Sequence, residues 1–305
     1  METVVIAGSG PAGLTAAIYT ARSELGPLVL EGLVPGGQLI VSHEVENYPG
    51  FPEPVSGMEL MDRFRKQAER FGARFKTEAV EEVKRRDSVF EVGTSAEKIY
   101  TETLIIATGA EARRLPIPTE PKFYGKGVSG CATCDGPFFR DKHVLVVGGG
   151  NTAMLDAVFL TRFASKVTIV HRRDYLRAAP VEVEKAKSNT RIEWMIPWVV
   201  EEIVGNDVVT GSVLKNRETG ETRQIKCDGV FVAIGHDPKT EAFKELVETD
   251  ENGFIQVEAG STRTSTPGVF ACGDVRDPVY KQAVVAAGHG CMAAMDVERY
   301  IERRK

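Results

Sequence analysis

Residues 3–13, Thr-Val-Val-Ile-Ala-Gly-Ser-Gly-Pro-Ala-Gly, decide how the rest of the chain is read. A β-branched apolar run ends in a glycine-rich turn, and small residues continue from there to about Arg22 with helical character. Gly8, Gly10 and Gly13 have the GxGxxG spacing. The first glycine allows a tight turn, the second lets backbone approach a pyrophosphate, and the third lets the helix pack close to the strand. Phosphates then meet free N–H groups at the positive end of the helix dipole. A second strand, Leu28–Leu30, ends at Glu31. That carboxylate lies at about the distance from the glycines needed to reach a ribose hydroxyl pair. The stretch therefore predicts a β-turn-α-β unit that binds a dinucleotide.

Working outward, residues 58–72 place Met61, Phe64, Ala68 and Phe71 at helical spacing, and 79–93 and 98–106 read as strands. The opening pattern then restarts. Val144–Val147 is a strand, Gly148-Gly149-Gly150 a turn, Thr152–Phe163 a helix and Lys166–Val170 a further strand. A hairpin-rich stretch follows from about Arg191 to Val232. Val269–Asp274 and a helix from Gln282 to about Glu302 return to the first pattern. The expected fold is α/β, with two Rossmann-like, three-layer ββα nucleotide-binding domains, the second inserted into the first. Residues 1–114 and 243–305 form the discontinuous first domain, and 115–242 the second. Proline and charge mark crossings near 112–118 and 238–245, which are the expected hinges.

The second glycine cluster reads Gly148-x-Gly150-x-x-Ala153, with alanine at the packing position. The strand that should end in an acid ends instead in His171-Arg172-Arg173, with Arg177 close behind. A carboxylate there would repel a 2′-phosphate, whereas guanidinium groups bind it in bidentate fashion. The second site is therefore expected to take NADPH in preference to NADH.

Between the two clusters stands Cys131-Ala132-Thr133-Cys134-Asp135. Two cysteines two residues apart close a small disulfide ring, and the motif commonly lowers one thiol's pKa and favours exchange. Asp135 is placed to give or take a proton. Zinc would need two more ligands, and the other cysteines and five histidines are scattered, so no metal site is expected. Cys272 and Cys291 lie among small apolar residues and are expected to be buried; Cys227 is expected to be inert.

At 305 residues the chain exceeds one typical hydrophobic core. Its net charge of −5 arises from mixed signs, which argues against nucleic acid as a partner. No run of about 18 apolar residues suggests a membrane span. With no secretory leader before the first strand, a cytoplasmic location is expected.

Over nearly its whole length the chain resembles the low-molecular-weight thioredoxin reductases, the two-domain FAD and NADPH type. The resemblance rests on GSGPAGLTAAIYTAR (8–22), GGQL (36–39), ENYPGFP (46–52), ATGA (107–110), CATCDGPFF (131–139), GGGNTA (148–153), HRRDYLRA (171–178), FVAIGHDP (231–238), GVFACGDV (268–275) and KQAVVAAGHG (281–290). It implies that FAD lies in the first domain, held by Gly8, Gly10, Pro11, Ala12, Gly13 and Glu31. Gly36, Gln38 and Asn47 would line its flavin side, Thr108 and Gly109 would also bind FAD, Asp274 would meet the ribityl chain, and Gln282 and Ala283 would face the ring. NADPH would take Gly148, Gly150, Asn151, Thr152, Ala153, His171, Arg172, Arg173 and Arg177. The resemblance also implies that Cys134 faces the flavin, that Cys131 attacks a thioredoxin disulfide, and that Asp135 is the acid–base group. A homodimer, alternating domain orientations and thioredoxin as partner belong to the same implication. Pro137-Phe138-Phe139 is read either as part of a docking surface or as core.

The chain departs from the family pattern at Lys281, where arginine is frequent, at Asn151, at Leu155-Asp156 and at Lys239. Lysine keeps charge but loses the planar fork of arginine. Rival readings are a flavin disulfide reductase serving another redoxin, or one drawing electrons from ferredoxin or F420, and a non-catalytic flavin redox sensor. A ferredoxin–NADP reductase would lack the cysteine pair.

Overall fold

The computed structural model describes residues 1–304. The chain divides into two compact units, residues 1–111 with 237 onward, and residues 112–236.

The first unit opens with β1 (Glu2–Ala7), α1 (Pro11–Arg22), β2 (Leu28–Leu30), α2 (Gly57–Arg70), β3 (Arg74–Lys76), β4 (Glu82–Arg86), β5 (Val89–Gly93) and β6 (Lys98–Ile106). Strand β1 pairs in parallel with β2 on one side and β6 on the other. The strand order therefore reverses beside β1, the kind of switch point where α/β sheets bind ligands. Strands β4, β5 and β6 form an antiparallel edge. Both faces of β1 are buried: Val4 and Ile6 join one apolar cluster, Val5 and Ala7 the other. That period of two explains why the strand reads as a continuous apolar run. Helix α2 is capped by Ser56, whose hydroxyl accepts from the Glu59 N–H at 3.1 Å, and it buries Leu60, Met61 and Ala68.

The chain leaves through β7 (Ala110–Ala112) into α3 (Glu120–Phe123), β8 (Val128–Ser129), α4 (Ala132–Asp135), β9 (His143–Val147), α5 (Asn151–Leu160), β10 (Lys166–Val170), α6 (Pro180–Lys187) and β11 (Ile192–Met195). Strands β12 (Trp198–Gly205), β13 (Val209–Asn216) and β14 (Thr222–Lys226) follow, then β15 (Gly229–Val232). The second unit has a parallel sheet of order β11-β10-β9-β15-β8 and an antiparallel sheet β12-β13-β14. Val144 and Val146 of β9 face α5, against Met154, Ala157 and Leu160. Leu145 and Val147 face the antiparallel sheet, against Trp198, Val200 and Leu214. Helix, parallel sheet and antiparallel sheet are thus three layers, as expected for a ββα unit.

The chain returns through β16 (His236–Pro238), β17 (Val269–Ala271) and α7 (Ala283–Glu302). Strand β17 adds in parallel to β6, and α7 packs on α1, with Gly290 against the Ala12 carbonyl.

Two details differ from the sequence reading. The hairpin-rich stretch is bounded by β11 and β15, which belong to the parallel sheet. Helix α5 ends at Leu160, where the Thr161 hydroxyl turns back to the Val158 carbonyl at 2.7 Å. The division falls at Glu111/Ala112 and His236/Asp237. Arg113 N–H bonds Gly235 O at 3.0 Å, tying it to the inserted unit, while Phe243 is fully buried in the core of the first.

Candidate functional site

In the first unit, the expected residues gather at the carboxyl ends of β1, β2, β6 and β17. Gly8 has φ +111°, and a β-carbon there would run into the Ala107 carbonyl, so only glycine fits the turn. Among the described residues, nothing beyond its own chain neighbours lies within 4 Å of where a β-carbon on Gly10 would sit. Helix α1 begins there with Pro11 in its first turn, no side-chain cap and no acidic residue. Its N–H groups therefore face open space suited to a pyrophosphate.

Ser9, which the sequence reading passed over, organises this loop. Its buried hydroxyl donates to the Glu31 carbonyl at 2.9 Å and accepts from the Gly36 N–H at 3.0 Å. The Glu31 carboxylate is buried and pairs with Arg65 at 3.0 Å, with the Thr77 hydroxyl at 3.3 Å. A carboxylate accepts about four hydrogen bonds, so these contacts leave capacity for hydroxyl donors.

Gln38 donates its side-chain amide to the Ala110 carbonyl, and the Thr108 hydroxyl donates to the Lys239 carbonyl at 2.6 Å. Gly109 follows with φ +75°. Asn47 Nδ2 donates to Gln282 Oε1 at 3.4 Å, and Gln282 caps α7 immediately before Ala283. Lys281 has φ +47° and its amine bonds the Pro278 carbonyl at 2.5 Å. Asp274 sits in the turn after β17, where burial, reinforced by Asp277, pushes its carboxyl up to about 6.

In the second unit, the Gly148–Gly150 turn follows β9. A β-carbon on Gly148 would meet the Ala233 carbonyl and Ala153, which explains a small residue at Ala153. Among the described residues, nothing beyond its own chain neighbours lies within 4 Å of a β-carbon on Gly150, and α5 starts there without a side-chain cap or acids, with Asn151 and Thr152 exposed. The Asn151 side-chain oxygen accepts from the Ala179 N–H at 2.7 Å, and Gly149 O accepts from Arg177 N–H at 2.8 Å. These bonds draw the 171–179 loop onto the glycine turn.

The His171 ring packs over Gly149 and bonds the Tyr175 carbonyl at 3.0 Å through Nε2. A carbonyl only accepts, so Nε2 carries the hydrogen. Burial, with the three nearby arginines, lowers the pKa of His171 and favours the neutral ring. Arg173 donates to the Tyr175 hydroxyl at 2.9 Å. Arg172 and Arg177 are exposed and have no carboxylate partner among the described residues. Unpaired guanidiniums beside an uncapped helix start suit a phosphate monoester.

Cys131 and Cys134 form a disulfide with their Cα atoms 5.3 Å apart. They follow Ser129, the last residue of β8, and so stand at the same carboxyl edge of the parallel sheet as the glycine turn. Cys131 Sγ accepts from the Cys134 N–H at 3.2 Å and lies 3.3 Å from the Thr133 hydroxyl. The Ser129 hydroxyl accepts from the Cys131 N–H at 2.9 Å, donates to the Cys131 carbonyl at 3.3 Å, and stands beside the Asp135 carboxyl. Burial raises the pKa of Asp135 above the usual carboxylate range, and the Ser129 hydroxyl offsets this in part. Ser129 and Thr133 were not among the expected residues; their nearness to a cysteine pair is the one signal the sequence carries for them.

Phe139 is buried edge-on against Phe231, with ring centroids 5.1 Å apart, while Phe138 is 41% exposed. Of the two, Phe139 is core. Cys227 and Cys272 are buried, which pushes each thiol up to about 12. Cys291 departs from expectation: it is only partly buried, and its thiol lies beside the Tyr19 hydroxyl.

A family model described as pyridine nucleotide-disulphide oxidoreductase matches residues 2–290. A thioredoxin reductase of Rickettsia bellii is 51% identical over 304 residues, covering 98% of each chain. The chain belongs to the thioredoxin reductase branch of the pyridine nucleotide-disulphide oxidoreductases. A bifunctional thioredoxin reductase/thioredoxin of Mycobacterium leprae is 48% identical over 302 residues, covering 99% of this chain and 66% of that relative. Among solved structures, thioredoxin reductase from Streptococcus pyogenes superposes with a TM-score of 0.93 at 41% identity, covering 98% of each chain. The two Rossmann-like units are the architecture of this family.

Proposed function

We propose that the protein is an NADPH-dependent thioredoxin reductase, passing electrons from NADPH through FAD and the Cys131–Cys134 disulfide to oxidised thioredoxin. The observation that carries this reading is the disulfide itself. It closes at the carboxyl edge of a sheet whose next glycine turn ends beside unneutralised Arg172 and Arg177. The relative that joins a thioredoxin reductase to thioredoxin in one name supports the partner.

The residues fit both cofactors. The first cradle, from Gly8 to Gly13 with Glu31 and Asp274, would hold FAD, and the second, from Gly148 to Ala153 with Arg172, Arg173 and Arg177, would hold NADPH. When bound, they supply hydride transfer and its relay as an electron pair to a disulfide. The chain's own residues do the rest. Arg172, Arg173 and Arg177 fix the 2′-phosphate, and Cys131 attacks the partner's disulfide. Asp135, whose pKa burial raises, gives and retakes the proton of the leaving sulfur.

The proposal includes a homodimer acting in the cytoplasm. Tyr19 on α1 and Val284 and Met295 on α7 support association, each being more than 40% exposed.

The test is anaerobic mixing of the yellow protein with NADPH or NADH, followed by oxidised thioredoxin. Flavin bleaching by NADPH and reoxidation as thioredoxin thiols appear is the expected result. Bleaching without thioredoxin reduction would assign a different redoxin. If NADPH fails while dithionite-reduced protein still reduces thioredoxin, the donor is something else.

A further inference from the structure

We propose that Thr133 is a catalytic residue of the thiol–disulfide exchange, its hydroxyl holding the Cys131 sulfur as the attacking thiolate. The inference deepens the function proposed above and rests on it.

In the oxidised pair neither sulfur carries a hydrogen. The 3.3 Å contact between Thr133 Oγ1 and Cys131 Sγ is therefore donated by the hydroxyl. The Cys134 N–H is a second donor to the same sulfur, at 3.2 Å. Among the described residues no hydrogen bond reaches the Cys134 sulfur. The asymmetry decides where charge settles once the S–S bond is broken by two electrons. Hydrogen bonds to the charged form favour it, so the thiolate belongs on Cys131 and the thiol on Cys134. The thiolate is the nucleophile.

The exchange then balances. Cys131 S⁻ attacks one sulfur of a protein disulfide, a mixed disulfide forms, and the departing sulfur takes its proton from the Asp135 carboxyl. Cys134 returns its proton to the Asp135 carboxylate and attacks the Cys131 sulfur. The Cys131–Cys134 bond re-forms, and the second partner sulfur leaves as a thiolate that solvent protonates. Two electrons pass from the pair to the partner's disulfide. Ser129 acts one layer back as a positioning residue, bonded to both the N–H and the carbonyl of Cys131 and standing beside the Asp135 carboxyl. Thr133 is exposed, so its hydroxyl can be removed without opening a cavity in the core.

The test uses the full chain carrying Cys134→Ser and Cys291→Ser, which leaves Cys131 with only the buried Cys227 and Cys272. Iodoacetamide alkylation of Cys131 is followed against pH by mass spectrometry. Thr133→Val is expected to raise the midpoint by about 0.5 to 1 and to slow alkylation near neutral pH about threefold to tenfold. Thr133→Ser is expected to restore the parent profile. An unchanged midpoint in Thr133→Val, or Thr133→Ser behaving like it, would overturn the assignment. In the reciprocal background of Cys131→Ser and Cys291→Ser, Thr133→Val is expected to leave Cys134 alkylation alone; an equal shift there overturns the preference for Cys131. Alkylation needs neither nucleotide nor thioredoxin. A midpoint shift, with no thioredoxin reduction by the unmutated chain, therefore rejects the proposed function and keeps Thr133, whereas thioredoxin reduction by the unmutated chain without a midpoint shift does the reverse.

Discussion

The α-carbon of Gly13 packs against the carbonyl oxygen of Gly8, so closely that a β-carbon on Gly13 would overlap it. The contact seats the first turn of α1 on the glycine loop and aims its N–H groups at the space beside Gly10. Gly13→Ala must move helix or loop, at a cost of about 1–3 kcal/mol for overpacking. A lower melting temperature and a reduced flavin-to-protein absorbance ratio are expected. Full flavin retention with an unchanged melt would contradict the packing argument.

Arg172 and Arg173 flank the second cradle, and Arg173 is held by the Tyr175 hydroxyl. Replacing both with alanine removes charge-assisted contacts to a 2′-phosphate, each worth about 1.5–3 kcal/mol. Affinity for NADPH is expected to fall at least about a hundredfold while NADH changes little, as read by fluorescence titration. Equal losses for the two nucleotides would remove these residues from the phosphate site.

Cys131→Ser is expected to leave the flavin reducible by NADPH and to abolish thioredoxin reduction. Stopped-flow bleaching and a thiol assay on the same sample separate the two steps. Normal turnover in this variant would move the attacking role away from Cys131.

Asp274 gives a pH dependence of stability with a defined sign. Its carboxyl rises from an ordinary 3.8 to about 6 through burial and then Asp277. The folded chain therefore holds a proton that the unfolded chain releases between those values. Stability from this group is greatest below about 4 and is lost as pH rises through about 6. The difference amounts to up to about 3 kcal/mol. In protein stripped of nucleotides, urea midpoints are expected to fall over that window, and Asp274→Asn is expected to flatten the slope. A variant with the parent's slope would assign it to another group.

The glycine cradles were legible because their meaning is local: Gly8, Gly10 and Gly13 act within one turn, and so do Gly148, Gly150 and Ala153. Ser9 was not, since its role lies in bonds to Glu31 and Gly36, brought close only by the sheet. Asn47 and Gln282 meet across 235 residues, which no local pattern shows, although the family resemblance placed both at the flavin. Strand β11 looked like part of a hairpin because a four-residue strand does not disclose whether its partner is parallel. Cys291 has the small neighbours of a buried thiol, yet it lies beside Tyr19 on the outer side of the α1–α7 pair. Proline and charge mark the crossings only as a break in pattern, whereas the residues on either side are held by packing and backbone bonds: Phe243 in the core of the first unit and Arg113 to Gly235 in the second.

Two hydrogen bonds flank the places where the chain passes between units: Lys239 N–H to Gly109 O at 2.9 Å, and Arg113 N–H to Gly235 O at 3.0 Å. The ends of residues 112–236 are therefore neighbours, and so are the ends left behind at 109 and 239. Such an arrangement makes the inserted unit a removable cassette. It can be expressed as one uninterrupted polypeptide, and the flanking segments can be joined by a short bridge at small entropic cost. Nucleotide preference and disulfide chemistry would travel together in that cassette, so a single transplantation exchanges both between relatives.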